Sequence, residues 1–203
     1  MLTDHLPDNQ KILSTTKAWL EKAVIGLNLC PFAKAVHVKN QIRYVISEAT
    51  TSEVLLSKLI NELKFLETSD PLEVETTLLI HPYVLTDFLD YNDFLDVADA
   101  ALDDLGLVGI IQIASFHPQY QFAGTAPDDI DNFTNRSPFP ILHLLRETSI
   151  ERAVEAFPDA AQIFDKNIET LRRIGHEGWD ALDISNGIND LNNICAKNTT
   201  TEE

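Results

Sequence analysis

Residues 76–118 read TTLLIHPYVLTDFLDYNDFLDVADAALDDLGLVGIIQIASFHP, and their reading decides the fold class. Residues 76–81 are short, apolar and β-prone at their end, as expected of a strand covered on both faces. Residues 108–116 have the same character, and both segments close on His-Pro, at His81-Pro82 and His117-Pro118. The residue before a proline favours extended geometry, which suits a strand end. Between them Phe88, Tyr91, Leu95, Ala98, Leu102 and Leu105 step by three and four, and Gly106 comes next. That spacing predicts a helix over 86–105 with a glycine stop. Its many aspartates read as a solvated face, because they lack the glycine loop and fixed spacing of a calcium site. Strand, helix, strand in this order predicts a crossover joining strands that run the same way.

The flanking segments extend the pattern. Residues 42–47 (IRYVIS) read as an earlier strand. Thr50 and Glu53 have capping-box spacing, opening a helix that buries Leu56, Leu59, Ile60, Leu63 and Leu66 and breaks at Asp70-Pro71. Before it, Asp8 caps a helix whose Leu13, Leu20, Val24 and Leu27 share a face with Trp19 and Ala23 beside them. Pro31 suits the first position of a new helical turn, which places Cys30 at its N-cap. Downstream, ILHLLR at 141–146 is a fourth strand. Thr148 and Glu151 form a second capping box for a helix to 157, and Pro158 starts a longer one burying Phe164, Ile168, Leu171 and Ile174. The expectation is one α/β domain over 1–175, with a small, mixed, mostly parallel sheet of about four strands and helices packed on it. A ferredoxin-like α+β sandwich is the alternative. Residues 176–203 read as a weakly structured tail with one weak helix near 188–194.

Composition limits the function classes. Net charge is −17, a field that repels nucleic acid and anionic membrane surfaces. No apolar run approaches the ~20 residues of a membrane span. The opening MLTDHLPDNQK lacks the basic and apolar regions of a secretory signal, so a cytoplasmic protein is expected. The 2 cysteines, Cys30 and Cys195, are too few for a disulfide framework. There is no GxGxxG and no P-loop, so a nucleotide cofactor bound by those means is not expected, and the sequence names no other.

The chemistry concentrates in residues 115–146, SFHPQYQFAGTAPDDIDNFTNRSPFPILHLLR. If the strands at 76–81 and 108–116 run the same way, His81 and His117 share the sheet edge where open α/β folds bind ligands. Between Lys64 and Lys166 the only cations are Arg136, Arg146 and Arg152. Arg136 lies in the rigid NRSPFP turn, and its planar fork suits a carboxylate or phosphate, or else an ion pair with Asp128, Asp129 or Asp131. Arg152 reads as a helix-surface ion-pair residue. His143, among leucines in the fourth strand, reads as a core residue facing with Ile141 and Leu145, away from Arg146. Cys30 at a helix start is the candidate nucleophile, with thiolate favoured by the helix N-terminus and a nearby histidine; plain packing is the bland alternative. Gly124 permits a close backbone approach to a ligand.

The blocks WLEKAVIGLNLCPFAKAV, LLIHP, FLDYNDFLDVADAAL, ASFHPQYQFAG and NRSPFPILHLLRE resemble a bacterial family called domain of unknown function 1415, over roughly residues 19–175. The resemblance implies no activity or cofactor. It places Cys30, His81, His117, Asn135, Arg136 and His143 inside the family's signature blocks.

The expected function is an enzyme on a small anionic molecule. Arg136, with Arg146 or Arg43, holds the anion, while Asn135, Ser137 and Gly124 line the site. His117 or His81 serves as general acid or base and Cys30 as nucleophile. Two alternatives remain. One is a metal site on His81, His117 and His143, completed by a carboxylate such as Asp128 or Asp129. The other is a non-catalytic module that binds through the aromatics of 115–146, namely Phe116, Tyr120, Phe122, Phe133 and Phe139.

Overall fold

The computed structural model describes residues 9–156 and 162–184. Four strands, β1 (Ile42–Ile46), β2 (Thr76–Ile80), β3 (Ile111–Phe116) and β4 (Ile141–Arg146), form one sheet in the order β1-β2-β4-β3. β1 and β2 are parallel, and β4 is antiparallel to both β2 and β3. Three strands therefore point the same way, as the crossovers require. β4 returns between β2 and β3, so those two are not neighbours and two of the three pairings are antiparallel.

Helices cover both faces, which is the α/β arrangement rather than the one-sided ferredoxin-like sandwich. On one face α3 (Ser52–Thr68) and α4 (Phe88–Asp104) pack Leu55, Leu59, Leu63, Leu66, Tyr91, Phe94, Ala98 and Leu102 onto Val45, Leu79, Leu142 and Leu144. On the other, α1 (Asn9–Trp19) and its π-helical continuation Leu20–Ile25 pack Ile12, Trp19, Leu20, Ala23 and Val24 onto Leu78, Ile80, Phe139 and Ile141. β2 is buried at every position because both its faces are covered. Each fully buried leucine contributes roughly 1.5–3 kcal/mol relative to exposure. α2 (Ala33–Val38), α5 (Glu147–Ala156) and α6 (Ile163–Asp180) complete the described elements. Among the described residues no helix is long and apolar enough to cross a membrane.

Several local expectations shift. The cap of α3 is Thr51 rather than Thr50, and its side chain accepts from the Val54 N–H. β3 starts at Ile111 because residues 108–110 form a turn. α5 follows β4 directly from Glu147, with no capping-box lead at Thr148. In the first helix the buried face runs through Ile12, Thr16, Trp19 and Ala23, not Leu13 and Leu27. The π-helical bonds, Gly26 N–H to the Glu21 carbonyl (3.0 Å) and Leu29 N–H to the Val24 carbonyl (2.9 Å), add a residue to the turn and rotate the chain beyond it. α6 continues through Gly175, where φ is 63°, to Asp180. Trp179, Leu182 and Ile184 then pack against the α1 side of the core, so the expected boundary at 175 falls at a kink inside a helix. In α6 Leu171 is fully buried while Phe164 is half-exposed. Residue 157, the weak helix near 188–194 and Cys195 lie outside the described residues.

Candidate functional site

The C-terminal ends of β1, β2 and β3 meet the start of β4 at one edge. His81 and His117 follow the last residues of β2 and β3 there, and both are fully buried. The His81 N–H donates to the Pro140 carbonyl at 3.0 Å and the His117 N–H to the Asn135 carbonyl at 3.2 Å. Strand alternation turns both imidazoles to the α4 face, with Tyr91 between them. The Tyr91 ring is stacked on His81 at 5.7 Å and 19°, and lies 5.0 Å from His117. The Tyr91 hydroxyl donates to the Ile141 carbonyl (2.8 Å) and accepts from the Phe116 N–H (3.1 Å), two residues paired across β3 and β4.

Both imidazoles reach into the loop between β2 and α4. His81 Nδ1 lies 3.0 Å from the Val84 carbonyl and His117 Nε2 lies 3.2 Å from the Leu85 carbonyl. A carbonyl only accepts, so each of these nitrogens carries the proton. The Gln119 N–H donates to the remaining His117 nitrogen, Nδ1, at 3.1 Å, and that ring is fully satisfied. His81 Nε2 is buried and has no hydrogen-bond partner. Five other buried side-chain atoms share that condition among the described residues, on Tyr44, Thr77, Tyr83, Thr134 and Arg146. His81 is the one base. Leu85 itself sits at φ 56°, a conformation that costs a side chain of this kind roughly 1–2 kcal/mol. The loop is thus strained and clasped by two histidines.

Burial sets the charge state. Both imidazoles are pushed down to about 4, by desolvation first; backbone carbonyls oppose this in each, and the neighbouring His117 adds to it for His81. Both are neutral at pH 7. Burial also pushes the Tyr91 phenol far up, so it stays a neutral bridge.

The other expected residues do not converge on this edge. Cys30 packs into the core on the α1 face, so the sheet stands between it and the two histidines. The N-cap of α2 is Phe32, two residues beyond Cys30, because Pro31 and Phe32 form a turn before the helix starts. Burial pushes the Cys30 thiol up, against smaller opposing contributions from backbone at Phe32 and Ala33. The thiolate expected from a helix start is not favoured here.

The arginines are committed elsewhere. Arg136 directs Nε to the Tyr120 carbonyl (3.4 Å) and Nη2 to the Pro127 carbonyl, with its guanidinium 4.3 Å over the Phe133 ring. Its own carbonyl accepts from Trp19 Nε1 at 2.9 Å. It clasps the 117–136 loop through those backbone carbonyls, and the charge of Asp128, one of the expected aspartates, also acts on it. Arg43 pairs with the buried Glu62 at 2.9 Å and covers Phe65. Arg146, at the opposite end of the sheet, donates to the Leu66, Ser69 and Val74 carbonyls. Arg152 forms an ion pair with Glu75 at 2.9 Å, as a helix-surface residue should. Asn135 Nδ2 donates to the Ser115 carbonyl (3.2 Å) and Ser137 Oγ to the Phe139 carbonyl (2.6 Å). Gly124 has φ 84° and open space where a Cβ would lie, so its turn, not a close approach, calls for glycine.

His143 faces with Ile141, as strand alternation predicts, on the side away from His81 and three residues from the edge in register. The Thr76 hydroxyl donates to the Leu144 carbonyl (2.6 Å), so it accepts from His143 Nε2–H at 2.7 Å. His143 therefore does not join the other two histidines. Among the described residues no three His, Cys, Asp or Glu side chains are grouped to hold a metal ion.

The loop aromatics are spent on the protein's own surface. Tyr120 contacts Phe88 and Phe122, Phe122 contacts Phe164, Phe133 contacts His176 and Trp179, and Phe116 contacts Trp19. Asp131 and Arg172 add an ion pair at 2.6 Å, tying the loop to α6. Sequence reasoning missed Tyr91 as a site residue. The available signal was a tyrosine on the buried stripe of an amphipathic helix, since its hydroxyl must find partners. It also missed the Val84 and Leu85 carbonyls, which leave no side-chain signature.

None of the curated proteins and none of the solved structures compared with the chain matches it. A family model described as "Protein of unknown function (DUF1415)" matches residues 11–181. That span takes in every strand, the His81–Tyr91–His117 cluster and α6, and the chain belongs to this family.

Proposed function

We propose that the protein is a cytoplasmic enzyme acting on a small molecule at the C-terminal edge of its sheet, with His81 as the proton acceptor. One observation carries the reading. His81 is a neutral, fully buried base with its tautomer fixed by the Val84 carbonyl and its Nε2 lone pair unused. A buried polar atom without a partner is costly, roughly 1–3 kcal/mol, and such costs concentrate where function needs them. Tyr91 and His117 are positioning residues: one stacks on the His81 ring and the other holds the loop that His81 also grips.

So weak a base first accepts a hydrogen bond that orients the substrate. It takes the proton only as negative charge develops beside it, and its burial favours returning that proton within the turnover. Cys30 takes no part in this step. The cytoplasmic placement rests on the free thiol of Cys30 and on the sequence.

The test is substrate discovery with a matched variant. Purified protein is incubated with a small-molecule extract and the mixture is followed by mass spectrometry. The reading expects compounds depleted by the wild type and untouched by His81→Gln. Equal depletion by His81→Gln, or none by the wild type, would defeat it.

A further inference from the structure

Resting on the reading of His81 as the working group, we infer that the ligand of this site is an uncharged flat ring carrying one N–H or O–H donor, of the azole or phenol class. A carboxylate or phosphate does not fit. His81 Nδ1–H is spent on the Val84 carbonyl, so Nε2 offers only a lone pair. Both nitrogens of His117 are bonded. The Tyr91 hydroxyl both donates and accepts. The single open atom in the cluster is an acceptor, and its ligand must donate.

Charge narrows the class. A carboxylate or phosphate would bring negative charge and further lone pairs to a lone pair. The guanidinium groups of Arg43, Arg136 and Arg146 are held by Glu62 and by backbone carbonyls. An ammonium group would donate, but would bury its charge among rings without a counter-ion, at a heavier cost than a neutral donor. Asp87, the acid that acts on His117, is exposed and spends its carboxylate on the N-terminal N–H groups of α4.

Shape is set by the neighbours. His81 is already stacked on Tyr91, and Phe88 lies 5.5 Å from His117 and 6.5 Å from Tyr91. A flat ring extends such a wall at little polar cost. Because His81 is fully buried, the ligand reaches Nε2 only as rings of the wall move aside, while the Val84 and Leu85 carbonyls keep their bonds to the two imidazoles.

The test is a nitrogen-15 histidine NMR titration of the wild-type protein, which requires no His81 variant to fold. Single variants His5→Gln, His37→Gln, His117→Gln, His143→Gln and His176→Gln each remove their own signals, and the signals that persist in all five are those of His81. The probes are pyrazole, N-methylpyrazole, benzoate and inorganic phosphate. Pyrazole is expected to shift His81 Nε2 and to bind about tenfold more tightly than N-methylpyrazole, which lacks the donor. Benzoate and phosphate are expected to leave that signal unmoved. Equal binding of the two pyrazoles overturns the donor requirement. A shift of His81 Nε2 by benzoate or phosphate overturns the ligand class and leaves His81 as the site. No shift with any of the four probes overturns the class and the reading of His81 together.

Discussion

Acidification from pH 7 to pH 5 should destabilise the protein through His81 and His117. Both imidazoles are held near 4 in the folded chain, against an ordinary value of 6.5. In this window the unfolded chain therefore binds more protons than the folded one, so stability rises with pH. The contribution is fully present above about 6.5 and is lost as pH falls towards 4. Integrated from pH 7 to pH 5, each such imidazole accounts for about 2 kcal/mol, so the pair accounts for roughly 4 kcal/mol. On a chain of this size that is a melting-temperature drop on the order of 10 °C. The net charge of −17 works the other way, since acid relieves self-repulsion. His143, also held to about 4 by burial, adds slope of the same sign. Urea melts at pH 7, 6 and 5 would measure the slope in the wild type and in the His81→Gln, His117→Gln double variant. The double variant should lose most of it and keep the share from His143. A stability that is flat between pH 7 and pH 5, or equally steep in the double variant, would refute neutral buried histidines as its cause.

The packing leads to three further outcomes. Tyr91→Phe leaves the Phe116 N–H and the Ile141 carbonyl without their bridge, and should cost about 1–3 kcal/mol in chemical denaturation. Arg136→Lys keeps the charge but loses the fork on the Tyr120 and Pro127 carbonyls, and should cost about 1–2 kcal/mol, with phosphate and sulfate having no specific effect on either protein. Cys30 should react with iodoacetamide more slowly in the native protein than in urea, because burial pushes its thiol up. The comparison is best made by peptide mapping, so that Cys195 is counted separately.

Much of the fold was legible because it rests on local periodicity. The Phe88, Tyr91, Leu95 stripe, the apolar strand at 76–80 and the His-Pro endings each report the chain's own direction. Together they place His81 and His117 on one edge. The position of β4 between β2 and β3 was not legible, since a loop of this length can return on either side of β3. Nor was the π-helical turn at Leu20–Ile25, which breaks the periodicity that would reveal it. The expected site failed to assemble for a related reason. Cys30, Arg43 and Arg146 look reactive as residue types, but what each is bonded to depends on which face and which end of the sheet it reaches. Arg136 shows this best. The proline-rich segment around it is plain in the sequence, yet the guanidinium serves the loop's own carbonyls. Tyr91 was visible only as a core aromatic, because its two hydrogen bonds are to backbone more than twenty residues away in sequence.

Everything proposed for the sheet edge depends on the state of one ring, which the nitrogen-15 spectrum of the His81 imidazole at pH 7 reads out. Nδ1 should appear protonated and Nε2 bare, with no hydrogen bond to Nε2 in the free protein. A protonated Nε2, or a charged imidazolium, would rule out His81 as the proton acceptor, because it would then have no open lone pair to offer.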